Sequence, residues 1–162
     1  MAVFDCFLKI DGIDGESADD KHKGEIDIES FSWGLAQSGA GHRGSGSGTG
    51  KVDVQDINIT KKVDKSSPTL QLACANGKHI SKGKITLRKA GENPLDYLTI
   101  DLESVFVSNY QIAHTVGGQD VPSETFALNF VKVKTEYWTQ SDKGAKGENA
   151  NFSWDVAKNV KF

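Results

Sequence analysis

The sequence predicts a mainly β protein, a small antiparallel β-barrel of two packed sheets with one short flanking α-helix. Apolar and polar residues alternate with a period of two along most of the chain, as in strands that bury one face. One segment, 66-SSPTLQLACANGK-78, instead has the spacing and the end signals of a helix. The 162 residues predict a single domain, 1–162, long enough to bury a core without disulfides or metals.

The first strand is predicted in 3-VFDCFLKI-10. Asp5 and Lys9 take one parity there, and the other parity is apolar and faces the predicted core: Phe4, Cys6, Leu8 and Ile10. The later part of the chain repeats this alternation in segments that predict further strands: 84–89, 97–107, 110–116, 124–138 and 151–160. Many short strands with one helix favour an antiparallel barrel or sandwich.

The apolar parity slips twice in the first half of the chain. In 25-EIDIESFSWG-34 the slip falls near Glu29 and Ser30, and in 52-VDVQDINIT-60 a similar slip follows Val54. One extra residue in a strand changes which face the following side chains take, so each slip predicts a β-bulge.

The helical segment has a start signal, a stop signal and one apolar stripe. Ser67 is the predicted N-cap, Pro68 suits the first turn, and Gly77 suits the C-terminal end. The stripe that faces the core has three members: Leu70, Ala73 and Cys74.

Two strand segments contain apolar residues that we expect to need cover from outside the core. Residues 105–107 are Val, Phe and Val in succession, apolar on both parities, and Val131 and Val133 lie in the predicted strand 124–138. One face of such a strand meets the core, so the other face needs cover, either from the helix or from another subunit.

The composition argues against general nucleic-acid binding. The chain has 19 basic and 22 acidic residues, a formal net charge of −3, and therefore no overall basic footprint. Charged Asp5 and Lys9 interrupt the N-terminal segment, so we expect neither a signal peptide nor a membrane span. Two cysteines, Cys6 and Cys74, are too few for a disulfide scaffold and suit reduced thiols.

The glycine-rich stretch 39-GAGHRGSGSGTGK-51 contains a literal G-x-G-x-x-G at Gly39, Gly41 and Gly44. A dinucleotide-binding motif must follow a strand and open a helix, whereas this stretch leads into another predicted strand. The phosphate-loop pattern also fails, because Ser45 occupies its first glycine position and Val52 follows Lys51. We therefore exclude a nucleotide cofactor.

Two residue pairs have chemical potential but a simpler interpretation. Asp101 and Glu103 lie two apart on a predicted strand together with Thr99, and paired carboxylates can perform acid–base chemistry. Such a row is more often a solvated strand surface. Cys74 and His79 bracket the helix end, but two ligands do not make a metal site, so a core thiol and a surface histidine are expected. No catalytic residue, metal ligand or cofactor is predicted.

Several runs together resemble the haemolysin-coregulated protein (Hcp) family. They are EIDIESFSWG, the stretch from QSGAGHRGSGSGTGK through KVDKSSPTLQLACANGKHI, KITLRKAGENPLDYLTIDLESVFVSNYQ, and ETFALNF. The resemblance covers residues 1 to about 138. No single run is specific by itself, but the combination is.

The resemblance implies a structural role in secretion. Hcp proteins form six-membered rings that stack into the inner tube of the type VI secretion system and carry small effectors in the lumen. The expected partners are other copies of the chain, the tip protein VgrG, the sheath proteins and the effectors. The protein would reside in the bacterial cytoplasm before firing and leave without a signal peptide.

The resemblance also implies two sets of site residues. Glu29 and Ser32 are expected to face the lumen, where a small serine leaves room for cargo and a ring of carboxylates favours basic surfaces. Ordering the twelve residues 39–50 costs on the order of 12–24 kcal/mol, and they have no large apolar side chain to offset it. Contacts with a second ring are therefore expected to order the extended loop 38–51, whose stacking residues are Gly41, His42, Arg43, Gly44, Gly46 and Gly48.

Two other functions remain open at this stage. The first is a monomeric β-domain that binds a carbohydrate or another small ligand through surface aromatic residues. The second is a hydrolase that uses Asp101 and Glu103. The oligomeric state in dilute solution separates the tube protein from both.

Overall fold

The computed structural model describes residues 4–37, 51–118 and 120–162. These residues confirm the mainly β prediction, with eleven strands and one helix in the described ranges. The elements are β1 Phe4–Ile10, β2 Ile26–Asp27, β3 Ser30–Ser32, β4 Leu35–Ala36, β5 Asp53–Val54, β6 Ile57–Lys62, α1 Ser67–Asn76, β7 Ile80–Lys89, β8 Leu95–Ala113, β9 Ser123–Asn129, β10 Lys132–Gln140 and β11 Lys146–Asp155.

Strand β8 is 19 residues long and belongs to two sheets. Its first part pairs with β7 and β10, and these strands with β1, β2 and β11 form sheet A. Its last part, from Phe106 to Ala113, pairs with β9, which continues through β6 to β3 as sheet B. Ser104, with φ 54°, lies just before the strand passes from one sheet to the other.

The chain also connects the two sheets on the opposite side, between β2 and β3. Ile28 N donates to Cys6 O in sheet A at 3.1 Å, and Glu29 N donates to Thr60 O in sheet B at 2.9 Å. The bulge predicted near Glu29 and Ser30 is therefore wrong, because the parity slip marks a crossing between sheets. Strands β2 and β3 lie at opposite ends of the strand order. They are consecutive in the chain, so the segment between them connects the two ends covalently.

The second parity slip also marks a change of strand. Strand β5 pairs with β4 in a separate two-stranded sheet, and β6 begins three residues after β5 ends. Gln55 N donates to Gly34 O at 3.1 Å and holds this sheet next to β3. A change of pairing partner thus takes the place of the predicted bulge.

One cluster of apolar side chains fills the space between the two sheets, and helix α1 contributes Leu70 and Ala73 to it. The sheets contribute residues that alternate along each strand, including Leu8, Ile10, Ile57, Ile59, Ile85, Ile100, Leu102, Phe126, Leu128 and Val133. The first strand departs from the prediction at its start, because Phe4 is 54% exposed while Phe7 is buried at 3%. Phe7 lies on the other face, stacked on His22 with ring centroids 4.3 Å apart.

The helix begins one residue earlier than predicted. Its N-cap is Ser66, which makes no side-chain capping hydrogen bond, and Ser67 lies inside the first turn beside Pro68. Gly77 ends the helix with φ 61°, a left-handed conformation that favours glycine. Leu70 and Ala73 are buried as predicted, whereas Cys74 is only partly buried.

A buried ion pair connects the helix region to sheet B. Lys61 and Glu124 are Cα partners on β6 and β9, and their side chains are 0% exposed and in direct contact. Lys61 Nζ also lies 2.8 Å from Asp64 Oδ1, and Ser67 Oγ donates to Glu124 Oε1 at 2.9 Å. Tyr110 donates to the second Glu124 oxygen, and burial followed by this hydrogen bond raises the pKa of Tyr110. The group therefore ties β6, β8, β9 and α1 together.

Lys61→Met should destabilise the protein by about 3–5 kcal/mol, because it leaves the buried Glu124 carboxylate without its cation. Urea unfolding measures the loss. Lys61→Met/Glu124→Leu removes both charges and should lose clearly less. A double variant as unstable as the single one would show that an uncompensated charge is not the cause.

A second charged group covers the outer face of sheet A near β1. Arg88 Nη1 donates to Asp19 Oδ1 at 2.8 Å, and Nη2 donates to Asp5 Oδ2 at 3.1 Å. The Arg88 guanidinium carbon lies 4.9 Å from the centroid of the Phe7 ring. The hydrogen bond to Arg88 is the main reason that the pKa of Asp19 lies well below its usual range. These contacts hold the long connection between β1 and β2 against the sheet.

Asp19→Asn should therefore change the pH dependence of stability. The lowered pKa means that the contact stabilises the fold fully above the ordinary carboxyl pKa of about 3.9 and less as the pH falls toward the native value. The free energy of unfolding of the variant should be lower than that of the parent at pH 7, and the difference should shrink below about pH 4. Asp20→Asn, at an exposed neighbour, is the control. A difference that is constant with pH would contradict the assignment.

Candidate assembly and cargo surfaces

The outer face of sheet B consists of uncharged side chains, seven of them polar and one, Ala127, apolar and buried at 5%. Strand pairing aligns Ser32, Asn58, Ala127 and Asn109 in one row across four strands. The adjacent row contains Ser30, Thr60, Thr125 and Gln111. We call these eight residues the polar face. Ser30, Ser32, Asn58, Asn109 and Gln111 are exposed.

The polar face can form hydrogen bonds but contains no charged side chain. Thr60 Oγ1 and Thr125 Oγ1 lie 3.4 Å apart, and the exposed amides offer both donors and acceptors. Charged groups lie only at its borders. Asp56 accepts from Ser108 Oγ at 2.6 Å at one end, and Lys62 Nζ donates to Ser123 Oγ at 3.3 Å at the other. The surface can contact varied partners, because it presents neither a fixed charge nor a large side chain.

The two residues predicted to face a lumen occupy different positions. Ser32 is exposed in β3 and belongs to the polar face. Glu29 is also exposed but precedes β3, and alternation along the strand puts Ser30, not Glu29, on the face of Ser32. The sequence alone therefore identifies Ser30 as a residue on the face of Ser32, because it lies two positions before Ser32 in the strand. The lumen role of Glu29 and Ser32 stays a prediction.

Only one residue of the 105–107 run lacks cover. Val105 and Val107 are buried at 0% and 2%, while Phe106 between them is 39% exposed although α1 packs against β8. On β10, which pairs with β8, Val133 is buried, and Val131, just before β10 begins, is partly buried. Other large apolar side chains are exposed in the single chain, among them Leu35, Leu72, Ile112, Val116 and Val121. These side chains are available for contact with another subunit.

Among the described residues, strand β11 lies at an edge of sheet A. It pairs with β10 on one side, its last residue Asp155 forms an isolated bridge to Val160, and its first six residues, 146–151, are exposed. An unpaired edge presents backbone donors and acceptors that another strand can meet.

Asp101 and Glu103 lie on the outer face of sheet A, opposite lysines of the neighbouring strands. Lys84 Nζ lies 3.9 Å from Asp101 Oδ1, and Lys132 Nζ lies 3.9 Å from Glu103 Oε2. Both carboxylates are partly exposed, as in a solvated charge ladder, but Thr99 on the same face is buried at 4%. The solvated row expected from the sequence therefore stops before Thr99, which lies deeper under neighbouring side chains.

The remaining candidate residues do not form a site in the described structure. Cys74 is partly buried, His79 is exposed, and no group of three potential metal ligands occurs in residues 4–37, 51–118 and 120–162. Burial raises the pKa of the Cys6 thiol to about 12, which fits an unreactive cysteine. None of the helical residues that the structure describes forms a segment suited to crossing a membrane. The stacking residues between 41 and 48, and the glycines of the rejected nucleotide motif, lie outside the described residues.

Comparison with known proteins identifies the family. Residues 7–137 match the family model described as "Type VI secretion system effector, Hcp". The chain belongs to the Hcp family. It is 46% identical over 162 residues to protein hcp1 of Pseudomonas aeruginosa, and the match covers 99% of each chain. The predicted resemblance is confirmed, and the protein is a structural component of type VI secretion.

Solved structures share the fold. A type six secretion system protein has a TM-score of 0.91 at 30% identity, covering 98% of this chain and 99% of that one. Hcp1 from Salmonella typhimurium has a TM-score of 0.80 at 35% identity, covering 99% of this chain and all of that one. The match extends through residues 139–162, beyond the part of the chain that carried the resemblance.

Proposed function

We propose that the protein forms six-membered rings that stack into the inner tube of the type VI secretion system and carry small effectors in the lumen. The observation that supports this most directly is the polar face, which spans four strands of sheet B without a charged or bulky side chain. Six such faces around an axis would make a wall to which cargo binds weakly enough to be released. Family membership supplies the secretion context.

Ring closure requires each subunit to offer one surface and receive another. The free edge of β11 and exposed side chains such as Phe106 and Ile112 are suitable for this head-to-tail contact. An association of this kind involves strand edges and apolar contacts rather than disulfides, so reductant should have no effect on it. Both cysteines are free thiols.

Cargo is proposed to contact the polar face at Ser32 and Ser30, with Glu29 at its border. The exposed Glu29 carboxylate would form a ring of six negative charges and favour basic cargo surfaces. Ser32 is small enough to leave the central space open. In this arrangement the serines of the wall form hydrogen bonds with cargo, and the Glu29 carboxylates at its border select cargo by charge.

The loop 38–51 is proposed to hold one ring against the next. The proposal rests on composition: the six stacking residues combine glycines with His42 and Arg43, and six copies would act together on one neighbour. VgrG and the sheath are the proposed partners at the tip and around the tube. The proposed location is the cytoplasm before firing, followed by export.

Native mass and negative-stain images at micromolar concentration test ring formation. The expected result is a mass of six chains, closed rings, and no change with reductant. A variant in which a short Ser-Gly link replaces residues 41–48 should keep the rings and lose ordered tubes. A monomeric parent would overturn the proposal, and tubes formed equally well by the shortened variant would remove the loop from stacking.

Ser32→Gln should keep the hexamer and lower the retention of a co-expressed effector, because a longer side chain enters the proposed lumen. Co-purification measured by quantitative mass spectrometry gives the ratio of effector to ring. Ser81→Gln is the matched control, since Ser81 is exposed on β7 in sheet A. Equal retention in both variants would reject the lumen assignment, and loss of the ring would place Ser32 in a subunit contact.

A further inference from the structure

The outer face of sheet A contains a groove of about 390 Å³ that crosses β1, β7, β8 and β10. Five lysines line it, in a chain whose formal net charge is −3. They are Lys9, Lys82, Lys84, Lys132 and Lys134. We call this surface the lysine groove. It lies on a different sheet from the polar face, and the inference below does not rest on ring formation.

Lys9 and Lys84 face each other directly on β1 and β7. Like charges at directly opposite positions destabilise a strand pair. Within the described ranges Lys9 makes no ion pair, and the nearest carboxylate to Lys84 is that of Asp101 at 3.9 Å, where both side chains are nearly half exposed. Asp11 also lines the groove, but it forms no ion pair with Lys9 in the described residues. The positive charge of this pair is therefore only partly neutralised inside the subunit, and an anion supplied from outside would reduce the repulsion.

The middle of the lysine groove is negative. Pairing of β7, β8 and β10 aligns Lys82 with Glu103 and Lys132, and the next row aligns Lys84 with Asp101 and Lys134. Each row thus has a carboxylate on β8 between two lysines. Strands lie about 4.8 Å apart, so the lysine positions of β7 and β10 are about 10 Å apart, and those of β1 and β10 about 14 Å apart.

This pattern selects among anionic ligands. A single phosphate does not reach across about 14 Å, and a uniformly charged polymer brings negative charge against Asp101 and Glu103. An extended protein segment matches better, since residues i and i+4 lie on one side about 13 Å apart with residue i+2 between them. Acidic residues at i and i+4 reach the outer lysines, and a basic residue at i+2 reaches the central carboxylates.

We propose that the lysine groove binds an extended segment of a partner protein in which two acidic side chains flank a basic one. Phe162 adds an apolar contact at the border of the groove, because the residue is 53% exposed and its ring centroid lies 5.3 Å from Lys132 Nζ. The partner is recognised by the spacing of its charges as well as by their sign.

An immobilised peptide tests the proposal on the intact protein. The peptide presents Glu-Ser-Lys-Ser-Glu between neutral spacers, and biolayer interferometry measures binding at low and high salt. The parent should bind it, bind less at high salt, and prefer it to Lys-Ser-Glu-Ser-Lys and to hexaglutamate. Lys9→Gln/Lys84→Gln should weaken binding about fivefold, since each exposed ion pair contributes modestly.

Lys143→Gln/Lys158→Gln is the matched control, because it removes the same charge from two exposed lysines outside the groove. It should change binding less than about twofold. Equal loss in both double variants, absence of binding, or stronger binding of hexaglutamate or of a single-stranded oligonucleotide would overturn the proposal. Lys9→Gln alone should also raise the urea midpoint of the free protein by relieving the Lys9–Lys84 repulsion. An unchanged or lower midpoint would contradict that repulsion and the proposal built on it.

Discussion

The packing of the two sheets against each other follows from the sharing of β8 between them. Its first part pairs with β7 and β10, and its last part pairs with β9. Ser104, which has a left-handed backbone conformation, comes just before the strand changes sheet. Val105 and Val107 lie on either side of this change, and both are buried in the core. Since one continuous strand runs through both sheets, the charged outer face of sheet A and the polar face of sheet B are held in a fixed relation. A subunit can therefore present two chemically different surfaces at once.

The Lys61–Glu124 pair has a related role on the side of sheet B. Each charge is 0% exposed, and each is satisfied by the other and by neighbouring polar groups such as Ser67. Isolated burial of either charge would be strongly unfavourable, so the helix can dock here in only the arrangement that completes the group. The pair contributes specificity of docking in a region where the helix itself buries just Leu70 and Ala73 as apolar side chains.

Particular residues show how far the sequence could be interpreted. The alternation in β6 correctly separates Ile57 and Ile59 from Asn58, because a strand points successive side chains to opposite faces. The same rule failed at Glu29, where the parity change marks a crossing between sheets. At Lys61 the rule gives the parity of the core, and the side chain is indeed buried, but it does not identify the partner Glu124, 63 positions away. A local sequence pattern carries no information about which residues pair when they are so far apart in the chain.

The amino-acid sequence was enough to identify the β class, the predicted helix with its Gly77 end, the apolar residues of most strands and, through several combined runs, the Hcp family. These follow from short-range rules and from recognisable segments. The folded structure was needed to show that Ser32 shares a row with Asn58 and Asn109, that Lys61 and Glu124 meet in the interior, and that five lysines line one groove. The physical reason is strand order: which residues become neighbours across a sheet depends on pairing between distant segments, and the core as a whole selects that pairing.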